Sequence, residues 1–335
     1  MWPMSSAMVW ETDANGGFMY NDELSDVLRT SLQPSVYFRQ FCEPDRGALE
    51  KGLHRGDKYF WNVYGDLASQ GRRLNETQPM PETNFSITQS SLTVVELGHS
   101  VPYTGKLQAL AKHKVLDIIQ KSLRNDARKA FDIEAWTQWN ACKLRAAPTG
   151  GTSTTSVTIS ENGSTAITNN VALGTGHVKA IVDEMRERNI PGFVGDDYIC
   201  ISHPTTLRPL ANELETIHQY TPEGQAKIYN GEMGRYEGIR FCAQTFIPKG
   251  GANDSTTFDP YTRTSDNWNN GKSSWAFFFG GDTVNEAIVI PEEIRAKLPT
   301  DYGRSGGIAW YYLGGFGIFH TDASQCRIVK WDSAA

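Results

Sequence analysis

From Lys106 to Lys143 (KLQALAKHKVLDIIQKSLRNDARKAFDIEAWTQWNACK), apolar residues recur at steps of three and four. They are Leu116, Ile119, Leu123, Ala127, Ala130 with Phe131, Ala135, Trp139 and Cys142. That spacing lays them along one stripe of a helix. No Gly or Pro interrupts the stretch, and Leu, Ala, Lys, Arg and Gln dominate it, so helix propensity is favourable throughout. The pattern predicts one unbroken helix. At ~1.5 Å per residue, about 38 residues make a rod of ~57 Å, several times the average helix of ~11–12 residues. No heptad repeat is sustained, which argues against a coiled coil, and the charges inside the stretch exclude a membrane span. Ala146, Ala147 and Pro148, followed by Gly-rich sequence, are expected to end it.

Before the rod the period changes to two. Asp57–Tyr64 (DKYFWNVY) puts Tyr59, Trp61 and Val63 on one side and Phe60 on the other, a strand pattern. Phe85–Leu97 (FSITQSSLTVVEL) alternates again with β-branched residues. Gly65–Asn84 between them is rich in Gly, Pro, Asn and charge and is too long for a tight turn. The region reads as a long two-stranded arm that reaches a neighbour, with Arg72 and Arg73 at its tip suited to carboxylates there. Residues 1–50 do not read as a compact domain. Trp2, Met4, Met8, Trp10, Phe18 and Tyr20 are separated by small and polar residues. Too short a segment to bury them alone, it is expected to lie on another surface, such as another subunit's. Glu23–Leu32 is a short helix candidate that ends before Pro34. The candidates for contact between subunits are therefore Trp2, Trp10, Phe18, Tyr20, Trp61, Arg72, Arg73 and Phe85.

After the rod, residues 149–170 are low in charge and predict a loop with one strand. An α/β rhythm follows. A helix over 178–188 has Val178, Ile181, Val182 and Met185 on one face. A buried strand is predicted over 197–202, and a helix over 205–217 carries Leu207, Leu210, Ala211, Leu214 and Ile217 inward. A turn and strand occupy 234–247, and the polar stretch 249–274 predicts an exposed loop or insertion. Strands are predicted at 275–279, 287–290, 308–320 and 326–331. No tandem repeat or independent linker is visible, and the fold class is α+β.

Net charge of −6, pI of about 5.7 and mean hydropathy of −0.44 exclude a strongly basic nucleic-acid clamp and a helical membrane protein. The N-terminal residues lack the basic and apolar segments of a secretory signal. Cys42, Cys142, Cys200, Cys242 and Cys326 are odd in number and far apart, without a CxxC pair. They read as isolated thiols in a reducing cytoplasm rather than disulfides or a zinc site.

The search for a reaction centre finds little. Gly303-Arg304-Ser305-Gly306-Gly307 matches G-x-S-x-G, but a nucleophile elbow needs a strand before the Ser and a helix after it. Here a strand-like run follows, so a turn between strands is the better account. The seven histidines form no HExxH pattern. Asp196-Asp197 and Glu292-Glu293 are adjacent carboxylates, read as solvated charges. Gly314, Gly315 and Gly317 sit in a strand-like run with no helix opening after it, so they read as close-packing glycines rather than a phosphate cradle. No catalytic residue, cofactor or metal site is predicted, and projecting arms without a reaction centre point to assembly.

The order of parts resembles the major capsid proteins of tailed double-stranded-DNA phages, with the Hong Kong 97-type fold. The sequence is most similar to the branch typified by coliphage N-four. The stretches that carry the resemblance are LNETQPMPET, TGKLQALAKHKVLDII, YNGEMGRYEGIRF and IAWYYLGGFGIFHTDASQCRIVKW. The resemblance implies an N-terminal arm over 1–50, an E-loop over 51–104 and a peripheral (P) domain over 105–175 with its spine helix at 105–147. An axial (A) domain over 176–300 and returning strands over 301–335 complete it. It implies pentamers and hexamers in an icosahedral shell around double-stranded DNA. The partners would be other copies of the chain, a portal, a separate scaffolding protein and a cement protein, with no membrane; assembly would take place in the host cytoplasm. An encapsulin-like compartment of the same fold is the alternative. Some relatives join an E-loop lysine to a neighbour's asparagine, but no lysine lies between Lys58 and Lys106 here. A shell without that cross-link is the expectation. The short segment before the first helix candidate is the reason for expecting a separate scaffold.

Overall fold

The computed structural model describes residues 36–50, 56–67, 69–74, 76, 79–163, 171–218, 235–246 and 274–333. A 3-10 turn at Phe38–Phe41 leads into strand β1 (Glu43–Asp45) and helix α1 (Gly47–Glu50). Next come β2 (Lys58–Tyr64), β3 (Ile87–Thr93), β4 (Val95–Thr104), α2 (Gly105–Leu110), α3 (Val115–Asn140), β5 (Leu144–Pro148) and β6 (Val157–Ser160). The chain continues through α4 (Thr175–Glu187), β7 (Tyr198–Ser202), α5 (Pro204–His218), β8 (Arg235–Tyr236) and β9 (Ile239–Ala243). It ends with β10 (Ser274–Phe279), β11 (Val284–Thr300), β12 (Ser305–Ile318) and β13 (Ile328–Ser333).

Three sheets result: a seven-stranded one in the order β6-β5-β13-β10-β7-β9-β8, a four-stranded one in the order β1-β11-β12-β4, and the pair β2-β3. The seven-stranded sheet is mixed, with β5–β13 and β7–β9 parallel. Its middle strand β10 reads SWAFFF and is buried at every position, as a strand covered on both faces must be. The long helix α3 joins this sheet to the four-stranded one. Trp139 packs on Phe279 and on Phe38, with ring centroids 5.5 and 5.6 Å away. Eight residues earlier, Phe131 meets Tyr312 and Trp310 of β12 at 4.7 and 5.5 Å. Phe38 itself is wedged against Trp275 and Phe277. The end of the N-terminal region is thus built into the core of its own subunit.

The predicted rod is not continuous. Thr104 caps α2 by accepting from Leu107 N at 3.4 Å, and Gly105 N donates to the Arg304 carbonyl at 2.8 Å. The chain then extends at Ala111 and Lys114 before α3 begins. No Gly or Pro marks the break. Attachment of α2 to the hairpin turn, with Leu107 fully buried, overrides local propensity. At the other end the helix stops at Asn140, and Leu144–Pro148 alternates buried and half-buried positions as a strand between β13 and β6. The predicted strand Phe85–Leu97 is also two strands in different sheets, β3 beside β2 and β4 beside β12.

The expectations for α4, β7, α5 and the turn into β9 agree with the structure to within a few residues. The predicted strand over 287–290 is the start of a much longer one, because β11 runs to Thr300 against β12. The expectations for residues 249–273 and for Glu23–Leu32 lie outside the described residues.

Candidate assembly surfaces

The β2–β3 hairpin projects from a base fixed on its own subunit. The strands pair antiparallel from Lys58↔Thr93 to Tyr64↔Ile87. At the base Tyr59, Leu92 and Val94 form a small apolar cluster with Ala48, Ala287, Val289 and Leu313. Tyr59 OH donates to Asp45 Oδ2 at 2.7 Å, and the Trp61 indole N–H donates to the Phe319 carbonyl at 3.0 Å. Close approach to β12 needs its glycines. A Cβ on Gly315 would lie 2.5 Å from the Thr93 carbonyl, and one on Gly317 2.8 Å from Leu92 Cβ. The glycine run is therefore a packing surface for the hairpin, as its context in a strand implies.

Beyond this base the hairpin's apolar residues are left uncovered among the described residues. Phe60, Tyr64, Leu67, Leu74, Met80, Phe85 and Ile87 are exposed, with Tyr64 at 79%, Met80 at 68% and Phe85 at 63%. Single exposed apolar residues are ordinary, but a concentration of them on one projection marks a contact surface. Arg72 and Arg73 are exposed in the same loop.

The tip of the β11–β12 hairpin is a second projection. Ile294, Leu298 and Tyr302 are exposed there. Its turn places Asp301, Tyr302 and Gly303 at positive φ, with the Asp301 carbonyl accepting from Arg304 N at 3.0 Å. Positions 291–299 of β11 are all exposed, because β1 pairs only with Asn285–Ala287. Pro291, Pro299 and the charges of Glu292, Glu293, Arg295 and Lys297 keep this open edge from pairing indiscriminately. Arg295 lies 3.6 Å from the Tyr311 ring centre and 2.5 Å from Glu293 Oε1.

A charged node sits where the arm, α3 and the β11–β12 sheet meet. Arg39 Nη2 is 2.8 Å from Glu286 Oε1 and 3.1 Å from Glu292 Oε2, and its guanidinium lies 4.1 Å over the Phe131 ring. Tyr312 OH donates to the same Glu286 oxygen at 3.1 Å. Burial of Arg39 opposes its charge, but hydrogen bonds and charge from Glu286 and Glu292 outweigh that and raise its pKa. Burial is also the main cause that pushes Tyr312 up, followed by the charge of Glu286. On the residue of α3 after Phe131, Asp132 Oδ1 accepts from Phe38 N at 2.7 Å and Arg39 N at 3.4 Å. Burial raises the Asp132 pKa to about 7 despite these donors. The node uses groups 247 residues apart in the chain, and no local pattern announces it.

Of the candidate contact residues, Trp2, Trp10, Phe18 and Tyr20 lie outside the described residues. Arg72, Arg73 and Phe85 are on the exposed loop, and Trp61 is half-buried at its root against Phe319. Ser305 opens β12 directly after the Asp301–Arg304 turn, so a strand, not a helix, follows it and no nucleophile elbow is built. The solvated reading of Asp196-Asp197 needs correction. Asp197 is buried and paired with Arg235 at 2.5 Å and Arg240 at 2.9 Å. Glu292 is likewise engaged with Arg39. Among the described residues, no group of three or more His, Cys, Asp or Glu is placed to hold a metal, and no helix is long and apolar enough to cross a membrane.

No protein-family model and no curated protein sequence matches the chain. Solved structures do match its fold over almost its whole length. The capsid structure of cyanophage P-SCSP1u superimposes with a TM-score of 0.66 at 12% identity, covering 99% of this chain and 98% of that one. The acid-stable capsid of Helicobacter pylori bacteriophage KHP30 gives 0.64 at 12% identity, covering 98% and 99%. The capsid of Ralstonia phage GP4 gives 0.63 at 13% identity, covering 93% and 94%. The chain therefore has the mixed helix-and-sheet fold found in phage capsids.

Proposed function

We propose that the protein is the major capsid subunit of a tailed phage, assembling with copies of itself into an icosahedral shell around double-stranded DNA. The observation that carries this reading is the fold similarity to three phage capsids over 93–99% of the chain. Within it, the β2–β3 hairpin acts as the E-loop and α3 as the spine of a peripheral domain in a Hong Kong 97-type arrangement. The α/β region around β7 and β10 serves as the axial domain. The domain boundaries expected from sequence, with the spine shortened to α3 (Val115–Asn140), and the coliphage N-four-like affiliation belong to the same proposal.

The physical logic follows from surface chemistry. Apolar groups on two projections are covered only when neighbours supply the other face, and flat, heterologous contacts of this kind close as rings or shells. Phe85, Arg72 and Arg73 on the hairpin, and Trp2, Trp10, Phe18 and Tyr20 on the N-terminal arm, are assigned to such contacts. Trp61 holds the hairpin at its root. Pentamers and hexamers would be held without covalent links between subunits, since the hairpin loop carries arginines and no lysine. A net charge of −6 suits a wall that contacts packaged DNA weakly and without sequence preference. A portal, a scaffolding protein and a cement protein are the further partners in this reading. Virion location and host-cytoplasmic assembly follow from it.

Electron microscopy of the purified protein, with size-exclusion chromatography, tests the proposal. Capsomers or closed shells are expected. A protein that stays monomeric at high concentration, with and without scaffolding partner, would overturn it. Denaturing gels of mature particles should show single subunits and no covalent ladder.

A further inference from the structure

The last strand contains a lysine and an aspartate where only apolar residues would be expected. In β13, Ile328, Lys330 and Asp332 alternate with Val329, Trp331 and Ser333, and all six are buried. Lys330 is 1% exposed and Asp332 0%. Lys330 Nζ is 3.0 Å from Asp332 Oδ2 and 2.9 Å from Asn140 Oδ1. Phe277 on β10 closes the site, with its ring centre 5.8 Å from Nζ. Asn140 is the last residue of α3 and is held in place by Arg145, whose Nη2 donates to the Asn140 carbonyl at 2.5 Å.

A buried ion pair alone would need Lys330 and Asp332. It would not need a carboxamide at contact distance from the amine. The surroundings also favour the reactive form of the lysine. Burial is the main cause that lowers the Lys330 pKa, and the nearby Arg145 charge acts in the same direction against Asp332. An amine and a carboxylate shut off from water, with a carboxamide in contact with the amine, are the parts needed for amide exchange, because a desolvated lysine is a competent nucleophile.

We propose that Lys330 and Asn140 condense after folding into an isopeptide bond within one subunit, with Asp332 as the acid–base group. The Asp332 carboxylate first takes a proton from the Lys330 ammonium. The Nζ lone pair then attacks Cγ of Asn140. Asp332 hands its proton to Nδ2 and takes the second proton from the attacking nitrogen. The Cγ–Nδ2 bond breaks, and ammonia leaves. One C–N bond forms and one breaks, one proton remains on Asp332, and no oxidant or cofactor is consumed. The bond would tie the end of α3 to the last strand across 190 residues of sequence. It joins no two subunits, so it is compatible with the absence of a ladder on gels, and it does not depend on the shell reading.

Intact-mass measurement of the purified full-length chain, followed by protease mapping, decides the matter. The wild-type protein is expected to be lighter than its sequence by one ammonia. Mapping should yield a branched peptide that joins the segments containing Asn140 and Lys330. Asp332→Ala and Lys330→Arg should restore the full sequence mass. If either fails to fold, Asn140→Ala, at a half-exposed helix end, gives the same readout. A folded wild-type chain with its full sequence mass, or with the deficit mapped elsewhere, overturns the proposal.

Discussion

The seven-stranded sheet and the β2–β3 hairpin are both built from aromatic and β-branched residues, yet they treat them in opposite ways. In the sheet, Trp275, Phe277, Phe278, Phe279 and Trp331 are fully buried and interlock with Phe38, Trp139 and His177. On the hairpin, Phe60, Tyr64, Phe85 and Ile87 are exposed, with no partner surface among the described residues of their own subunit. Composition does not distinguish the two regions. What differs is whether the chain returns to cover them: β10 is flanked by β7 and β13, with α5 and Trp139 of α3 packed on it, while β2 and β3 are held by the rest of the subunit only at their base, among the described residues. Aromatic residues in the first region hold the subunit together; in the second, they are available to hold subunits to one another.

This contrast is easiest to break at the core. Trp139→Ala removes a side chain with no exposure that contacts both Phe38 and Phe279. A loss of about 3–5 kcal/mol is expected, from transfer and cavity terms together. Such a loss is a large fraction of a typical domain's stability, so the variant should be recovered mainly as insoluble or aggregated protein. Soluble expression with an unchanged melting temperature would show that the joint between α3 and the sheet contributes far less than its packing suggests.

Next in size is the charged node between arm and sheet. Arg39→Ala leaves Glu286, 5% exposed at its side chain, without its cation. Stranding a buried charge in this way costs about 3–5 kcal/mol, at the lower end here because Arg39 is 27% exposed and water can enter. Arg39→Lys should recover only part of the loss, because an ammonium cannot reproduce the forked contacts to Glu286 and Glu292. Thermal unfolding of both variants at one protein concentration checks the order wild type, Lys, Ala.

How much of this could be read from sequence depends on the range of the interaction. Period-two alternation located β2 and the long loop after it, and helical stripes located α4, α5 and most of α3, because each pattern is complete within its own segment. The break at Ala111–Lys114 escaped detection because a contact with a distant turn makes it. β5 escaped because Leu-Arg-Ala-Ala-Pro has little strand propensity and forms a strand only between β13 and β6. The distal half of β11 escaped because its short alternation, Ile294, Ala296 and Leu298, is flanked by two prolines and interrupted by four charges. Asp197 reads as a surface carboxylate until Arg235 and Arg240 are brought beside it by the β8–β9 turn. The burial of Lys330 did leave a trace, a lysine between valine and tryptophan in a strand, but Asn140 is 190 residues away.

A smaller and opposed pair of effects comes from titration. Asp132 titrates near 7 in the folded chain, chiefly because it is buried, against ~4 when unfolded. The folded state then binds more protons between these values, so this group's contribution to stability falls as pH rises from about 4 to about 7 and is flat outside that window. Its full size is on the order of 4 kcal/mol, and His320 offsets part of it. His320 acts in the other direction. Burial, aided by Arg327, lowers its pKa to about 4, so stability from this group grows as pH rises from about 4 to its ordinary value near 6.5. The two partly cancel in the wild type, so the informative quantity is a difference. The stability of wild type minus that of Asp132→Asn should decline as pH rises from 4 to 7. An unchanging difference would mean that Asp132 stays ionised against the Phe38 and Arg39 amides.

The smallest effect on the subunit should come from the hairpin, and there the two regions separate most sharply. Phe60→Ser with Phe85→Ser changes residues that are 47% and 63% exposed and lie beyond the base cluster around Tyr59 and Leu92. Surface changes of this kind usually alter stability by less than about 0.5 kcal/mol, so the melting curve of unassembled protein should not move. Assembly should behave differently, because each subunit would lose two apolar contacts at every repeat of the lattice, and many weak contacts of one kind act together. Particle yield by sedimentation is therefore expected to collapse while the folded subunit persists. A double variant that still assembles with wild-type yield would show that the hairpin's exposed aromatics are idle in the shell. The contacts would then have to come from the β11–β12 tip, where Leu298 and Tyr302 stand exposed. Destabilisation of the free subunit instead would show that the hairpin folds against its own body, and the division between inward and outward aromatics would fail.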